Sequence, residues 1–380
     1  MNIGKIIWEN PVAYLRHKQP DHPISFFAPK VLAATFQNFR QEFPGLVTYA
    51  VKANADPVVL ENLVTAGLKA FDVASPAEIK LVRGILPDAV LHYNNPVRSV
   101  AEVKFAASVG VASFSVDNFS ELAKLAMYVP TSNVEIAVRL KLPVAGAAYD
   151  FGAKFGADPQ KCAEILTEVD RLGFIPSLSF HPGTQCTDPS AWENYIFVAA
   201  DIAEKAGIRL KRLNVGGGFP SHRQGEKPDL QPIFTAISSS VAKAFGSQPP
   251  SVICEPGRAM VAEALTLAPK VKAIIDSGDI FLNDGLYGGL AELPTIEANA
   301  RIKVYSSNGA PVSGPRSERI VFGPTCDSID MLPETAKLPD AIKEGDYVLF
   351  QGMGAYSTAI TTGFNGYGQI ELVTVQSLST

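Results

Sequence analysis

Short β-rich runs recur in this chain at a nearly constant interval, and no other feature narrows its fold so far. The first five, Val47–Val51, Lys69–Val73, Val90–Tyr93, Ala112–Val116 and Val134–Leu140, begin about 22 residues apart. That interval holds one strand, one helix and two short loops. Three more follow at wider spacing: Ile175–Phe180, Arg212–Val215 and Ser251–Cys254. Amphipathic helical patterns lie between them, such as Pro76–Arg83, Ser120–Met127 and Trp192–Ala206. Ser75-Pro76 and Asp188-Pro189 have the form of helix N-caps. Eight strands alternating with helices predict a (β/α)8, TIM-like barrel, although a doubly wound open sheet shares the same alternation. Beyond about Ala264 the texture changes. Ala268–Ile275, Ile302–Ser306, Arg319–Phe322, Tyr347–Gln351 and Ile370–Val375 are strand-like and separated by Gly, Pro, Asn and Ser. Ser307–Ser317 reads as a long loop. The expected division is a barrel over 25–263, with 1–24 and 264–380 forming a mostly-β domain.

Composition excludes several classes of function. The 380 residues are 47% hydrophobic and 19% charged, enough to fill a core and too apolar for disorder. Lys plus Arg is 33 against 38 Asp plus Glu, a net charge of −5 with no basic run. Nucleic acid and anionic membrane are therefore not expected partners. The N-terminal residues MNIGKIIWENPVAYLRHK lack the apolar core of a secretory signal, and no apolar run reaches membrane-spanning length. Cys162, Cys186, Cys254 and Cys326 are widely spaced, as reduced thiols of a cytoplasmic protein would be. The five histidines form neither H-x-H nor H-E-x-x-H, so no metal site is expected. G-x-G-x-x-G, Walker A and G-x-S-x-G are all missing.

The polar residues Lys52, Asp72, Asn94, Asp117, Arg139, His181, Gly216–Gly218 and Glu255 sit at or just past the C-terminal ends of the expected strands. In a (β/α)8 barrel that rim is where active sites are built. Lys52 in Thr48-Tyr-Ala-Val-Lys-Ala-Asn is either a snorkelling surface residue or an amine that attacks an aldehyde. Gly216-Gly217-Gly218 is either a flexible turn or a place where backbone N–H groups approach an anion. Glu255-Pro-Gly257-Arg258 sets a carboxylate at a strand end and returns a guanidinium three residues later, as either a salt-bridged turn or a two-sided binding element. Cys326 beside Asp327 lies in a Gly/Pro-rich stretch, more accessible than a core thiol.

These residues are spread through motifs that resemble the fold-type III pyridoxal-phosphate decarboxylases, the ornithine/lysine/arginine/diaminopimelate decarboxylase family. The resemblance runs from about Pro23 to Val375 through Tyr49-Ala-Val-Lys-Ala-Asn, Phe71-Asp-Val-Ala-Ser, Lys154-Phe-Gly, Ser179-Phe-His-Pro-Gly-Thr, Gly216-Gly-Gly-Phe-Pro, Glu255-Pro-Gly-Arg, Gly323-Pro-Thr-Cys-Asp and Gly354-Ala-Tyr. It implies a pyridoxal 5'-phosphate enzyme that decarboxylates a basic L-amino acid and assembles as a homodimer with shared active sites. By that resemblance Lys52 links to the cofactor aldehyde, Glu255 faces the pyridine nitrogen and His181 stacks on the ring. Asp72 and Arg139 hold the lysine region and the ring. The phosphate lies against Gly216–Gly218, Gly257, Arg258, Thr184 and Tyr356. Cys326 reprotonates the α-carbon and Asp327 meets the distal amine, both supplied by the other subunit, with Tyr356 also lining the substrate. Lys154 and Asp330 match a pair that bridges the interface.

The chain departs from the family pattern in one informative place. Members acting on ornithine usually carry a Tyr-Asp pair about 29 residues before the Cys-Asp motif; here that stretch reads Ala291-Glu-Leu-Pro-Thr-Ile-Glu-Ala. Glu297, or second to it Glu292, stands in for the aspartate. Diaminopimelate, 2,4-diaminobutyrate or a conjugated diamino acid therefore stay open beside ornithine and lysine. An amino-acid racemase needs a base on each face of the α-carbon, and Cys326-Asp327 with Glu255 favours decarboxylation instead. A non-catalytic protein like the antizyme inhibitors would lose cofactor-site residues that are retained here.

Overall fold

The computed structural model describes residues 7–142, 154–296 and 301–379. Its backbone contacts divide the chain into two compact units. The first contains Met1–Thr35, Ser221–Lys227 and Met260–Thr380; the second contains Phe36–Pro220 and Pro228–Ala259. These limits differ from the expected 25–263 division. The reason is β1 (Ile24–Phe27), which pairs antiparallel with Leu265–Ala268 and parallel with Glu371–Thr374, both in the first unit.

The second unit is a barrel. Its strands are β2 (Leu46–Val47), β3 (Tyr49–Ala50), β4 (Ala70–Val73), β5 (Val90–Tyr93), β6 (Ser113–Val116), β7 (Glu135–Arg139), β8 (Ile175–Ser179), β9 (Arg212–Asn214) and β10 (Ser251–Cys254). They pair in the order β2-β10-β9-β8-β7-β6-β5-β4-β3, every pairing parallel. β2 and β3 are two halves of one stave broken at Thr48, whose N–H and hydroxyl both donate to the Cys254 carbonyl at 3.0 and 2.9 Å. The stave pairs on both sides, so the sheet closes on itself. The expected barrel strands match these to within a residue or two at each end.

The intervening helices start where side chains satisfy free N–H groups. Asp56 caps Pro57–Thr65, Ser75 caps Pro76–Ile85, Asn118 caps Phe119–Tyr128 and Asp158 caps Pro159–Arg171. Ser99 and Glu102 form a reciprocal capping box before Val100–Ser108. Phe71, Leu91, Phe114, Ile136, Val138, Leu178 and Leu213 are fully buried on one side of the strands. The alternate positions are Asp72, His92, Ser113, Ser115, Glu135, Arg139, Ser177, Ser179, Arg212 and Asn214. Barrels usually fill that inner face with branched aliphatics. This one is polar inside, with serines set among charged and imidazole side chains.

The first unit is built on a five-stranded sheet. Besides β1 it contains β11 (Leu265–Ala268), β12 (Val271–Ile274), β13 (Ile280–Leu282), β14 (Ile302–Tyr305), β15 (Arg316–Arg319), β16 (Val321–Phe322), β17 (Ala336–Pro339), β18 (Tyr347–Gln351) and β19 (Glu371–Thr374). The main sheet has the order β14-β18-β11-β1-β19. Two apolar clusters pack on it. One holds Leu267, Leu282, Leu290, Val304 and Phe350; the other holds Leu15, Phe26, Tyr347 and Val375. The single run expected at Ala268–Ile275 is two strands. Pro269 has no N–H for the ladder, and the Lys270 N–H is taken by Asn283 Oδ1 at 2.8 Å. No helix among the described residues is long and apolar enough to cross a membrane.

Candidate active site

Lys52 follows β3 in a single 3-10 turn, Val51–Ala53. Its Nζ lies 3.4 Å from Asp72 Oδ2, with the lysine side chain 48% exposed and the aspartate 2%. A charged carboxylate buried to that degree needs a cation beside it. The contact therefore fixes the amine at the strand end, on a side chain that stays about half exposed. Glu78, on the next helix, accepts the Ala74 N–H at 2.7 Å. Burial raises its pKa to about 7, and the Asp72 charge pushes the same way against Lys52.

Glu255 follows β10. Its Oε1 accepts from Asn94 Nδ2 at 2.5 Å, after β5, and from Asn214 Nδ2 at the end of β9. Burial raises the Glu255 pKa to about 7, and Asp72 adds to the rise, against Lys52, Asn214 and Arg139. Arg139, at the end of β7, is held below its ordinary pKa by burial, opposed by Glu255, Asp72 and Asp117. His181 follows β8, and its Nδ1 is the acceptor for the Gly183 N–H at 3.1 Å. Burial first, then Arg139 and Lys52, press its pKa well below 6.5, so the ring is neutral.

The glycine run after β9 is more tightly constrained than a flexible turn. Gly216 has φ 71° and Gly218 φ 82°, both left-handed. A Cβ on Gly216 would strike the Phe180 carbonyl, and one on Gly218 the Gly183 carbonyl. One on Gly217 would stand 2.7 Å from the Glu255 carbonyl oxygen and 3.3 Å from His181 Nε2. The glycines thus wedge between the loops that present His181 and Glu255. Phe219 anchors the run, its ring 5.3 Å from Trp192, 5.5 Å from Phe39 and 5.8 Å from Phe234. Gly257 is similarly confined, with Ala53 and Ala50 Cβ atoms 3.0 and 3.2 Å from the place its own would take. Arg258 begins a short helix and is buried; Thr184 is half-buried.

The remaining expected residues belong to the first unit, except Lys154, which is in the barrel unit. Cys326 is exposed and free, and its N–H donates to Asn365 Oδ1 at 3.0 Å. Asp327 Oδ2 accepts from the Tyr287 hydroxyl at 2.5 Å, a bond that holds its pKa below the ordinary value. Asp330 is 2% exposed and accepts from the Leu286 N–H, the Thr325 N–H and the Thr325 hydroxyl at 2.8, 3.0 and 2.7 Å. It pins the Cys-Asp loop from inside. Lys154 is exposed, its ammonium 5.0 Å from the Phe155 ring. Tyr356 has φ 54°, an uncommon conformation for a bulky residue. Glu292 is buried beside Arg223, with Oε2 4.0 Å from the guanidinium. Glu297 lies outside the described residues.

The barrel rim therefore brings together Lys52, Asp72, Arg139, His181, Gly216–Gly218 and Glu255. Three participants had no role assigned from sequence: Glu78, Asn94 and Asn214. The Ser75-Pro-Ala-Glu78 capping pattern, six residues past Asp72, was the available signal for the first. No group of metal-ligating side chains occurs among the described residues.

Known proteins resemble this chain in sequence and fold. Residues 30–262 match the family model described as pyridoxal-dependent decarboxylase, pyridoxal binding domain. The chain belongs to that family. It is 31% identical to ornithine decarboxylase of Rattus norvegicus over 354 residues, 87% of this chain and 75% of that one. It is 32% identical to antizyme inhibitor 2 of Xenopus laevis over 343 residues, covering 84% and 74%. The crystal structure of lysine/ornithine decarboxylase complexed with cadaverine from Vibrio vulnificus superposes with a TM-score of 0.80 at 28% identity, over 93% of this chain and 95% of that one. The protein is a pyridoxal-phosphate-dependent amino-acid decarboxylase. The donor set fits that cofactor: a half-exposed amine for an aldehyde, a carboxyl with a pKa near 7 for a pyridine nitrogen, and a neutral imidazole for a ring face.

Proposed function

We propose that the enzyme removes the α-carboxylate of a basic L-amino acid, of ornithine or lysine type, to give a diamine and CO2 in polyamine-type metabolism. The observation that carries this reading is the rim itself, where the Lys52 amine, the buried Asp72 and the doubly amide-bonded Glu255 converge. Pyridoxal 5'-phosphate, when bound, supplies an aldehyde for an amine and a ring that accepts the electron pair left as CO2 departs. Lys52 would hold the cofactor through its aldehyde, and Asp72 would keep the lysine in position. Glu255 holds a proton at the ring nitrogen, which a carboxyl titrating near 7 shares readily with a pyridine. His181 offers a neutral face and adds no charge against the ring. Gly216–Gly218, Gly257, Arg258, Thr184 and Tyr356 meet the phosphate dianion with N–H groups, a guanidinium and hydroxyls.

Cys326 and Asp327 act in trans, in a homodimer, with Cys326 returning a proton to the α-carbon. Asp327, oriented by the Tyr287 hydroxyl, which also lowers its pKa, meets the substrate's distal cation. Glu297 supplies a second carboxylate toward it; Glu292 is already engaged by Arg223. Asp330 would pair with the partner subunit only by accepting a bond beyond those from Leu286 and Thr325. Diaminopimelate, 2,4-diaminobutyrate and conjugated diamino acids are the alternative substrates. The likeness to an antizyme inhibitor raises a binding role, against which stands retention of the Lys52–Asp72 contact and of Glu255. A substrate panel read by CO2 release tests the proposal. Ornithine or lysine is expected to react fastest, and preference for a neutral or acidic amino acid overturns it.

A further inference from the structure

The polar inner face of the barrel contains a cluster that the rim chemistry does not use. His92 lies on β5 and is 2% exposed; Ser115 lies on β6 and is 1% exposed. Asn94 follows His92 by two residues and so points to the same side of the strand. Three of their side-chain atoms, His92 Nε2, Asn94 Oδ1 and Ser115 Oγ, are fully buried and have no hydrogen-bond partner among the described residues. All three face inward. His92 is registered against Ser113, two residues before Ser115. Ser113 and Glu135 are themselves registered and lie on one face. The neighbour across from Ser115 is Ala137, and across from that Ser177. Ser115 is therefore flanked by small side chains where a barrel normally packs branched ones, while the Glu135–Arg212 ion pair, 3.2 Å, occupies the layer at Ser113 and Ser177.

A buried polar atom without a partner is destabilising, and these three belong to adjacent strands whose register carries Asn94 across from Ser115. An internal water needs two to four polar partners in a polar recess, which is what this layer offers. Asn94 Oδ1 accepts, Ser115 Oγ does either, and His92 Nε2 serves in whichever role its tautomer sets. The consequence reaches the rim, because the other end of the Asn94 amide donates to Glu255.

We propose that the barrel holds a buried water site formed by His92, Asn94 and Ser115, and that the water orients the Asn94 amide so that its NH2 group faces Glu255. His92 and Ser115 are then positioning residues, acting on Glu255 through the water and Asn94. The inference deepens the reading of Glu255 as the ring-nitrogen partner. The water site itself stands or falls separately from that reading. Glu255 is also faced by Asp72, Lys52, Arg139 and Asn214, none of which the test alters.

Two measurements on the purified enzyme decide it. A crystal structure at about 1.6 Å should show one ordered water within hydrogen-bond distance of His92 Nε2, Asn94 Oδ1 and Ser115 Oγ. His92→Leu and Ser115→Ala should each remove or displace it; Ser115→Ala serves if the larger change fails to fold. In cofactor-free protein labelled with 13C-glutamate, both variants should raise the Glu255 titration midpoint, by at least about half a pH unit for a weakened bond to a charged group. A well-ordered recess without the water overturns the proposal. So does a Glu255 midpoint that stays fixed while the variants lose thermal stability, since that is the signature of a purely structural layer. Persistence of Lys52 cofactor labelling in the variants keeps this outcome separate from failure of the catalytic assignment.

Discussion

Asp72 is almost fully buried, while the lysine it touches is half exposed. That asymmetry assigns their work: the aspartate positions, and the amine reaches outward. Lys52→Ala should abolish the pyridoxyl label that borohydride reduction fixes to the protein, read by mass spectrometry. Full labelling of the variant would move the attachment elsewhere. Asp327 is likewise prepared, since the Tyr287 hydroxyl donates to it at 2.5 Å and lowers its pKa further. Asp327→Asn retains the shape and removes the charge that a distal ammonium needs. It should lower kcat/KM for the preferred basic substrate at least about 30-fold, with little effect on cofactor labelling. Equal losses in both would make Asp327 a folding residue. Lys52, His181 and Glu255 were legible in the sequence because each ends a recognisable strand with a chemistry the strand does not need. Glu78 was not, because a glutamate three residues after Ser75 has a complete local explanation as a cap, and only the fold brings its charge within reach of Asp72 and Lys52.

At the scale of the elements, the glycine run is a packing device as well as a recognition device. Gly217→Ala would push a methyl group to 2.7 Å from the Glu255 carbonyl and 3.3 Å from His181, so backbone must move. The variant should lose about 1–3 kcal/mol in chemical denaturation and hold the cofactor less tightly. Gly84→Ala is the control. That glycine lies in the Pro76–Ile85 helix with nothing within 4 Å of its Cβ position, and alanine there should stabilise by about 0.5–1 kcal/mol. The loop from Asp284 to Leu290 carries a different signal. Asp284 is 1% exposed and accepts N–H groups of Gly285 and Gly289, yet burial raises its pKa from 3.8 to about 7. The folded state therefore binds its proton more tightly than the unfolded chain. The associated stability is full below about pH 4 and is lost as pH rises through 7, at up to about 1.4 kcal/mol per pH unit. Asp284→Asn should flatten that decline, so the Tm difference from wild type grows in the variant's favour between pH 5 and pH 8. Parallel Tm profiles would exclude the effect. Among the strands, the barrel staves were legible because each is a compact apolar run bounded by helices. β1 and β13 were not, because both runs are short: Ile24–Phe27 acquires its meaning from the distant β11 and β19, and Ile280–Leu282 from the neighbouring β12 together with the distant β16.

For the whole molecule, the proposed chemistry is divided between the two units: Lys52 and Glu255 lie in the barrel unit, and Cys326 and Asp327 in the other. The exposed Cys326 thiol stands on a loop braced from inside by Asp330, with Ile329 beside it 66% exposed. A rigid, partly apolar loop presenting a thiol and a carboxylate outward suits a role in another subunit's site. If each site in a C2 dimer takes its lysine from one chain and its Cys-Asp loop from the partner, the two defects separate genetically. Lys52→Ala and Cys326→Ala homodimers should each be inactive or nearly so. After subunit exchange in equal amounts, half of the dimers are mixed. In each mixed dimer one site carries both lesions and the other neither. Activity should therefore rise to about a quarter of wild type by subunit statistics. Light scattering establishes the dimer, and tagged subunits establish exchange independently of activity. With exchange demonstrated, recovery fixes the site as shared. Its absence means that each chain completes its own site, with Cys326 and Lys52 meeting within one subunit.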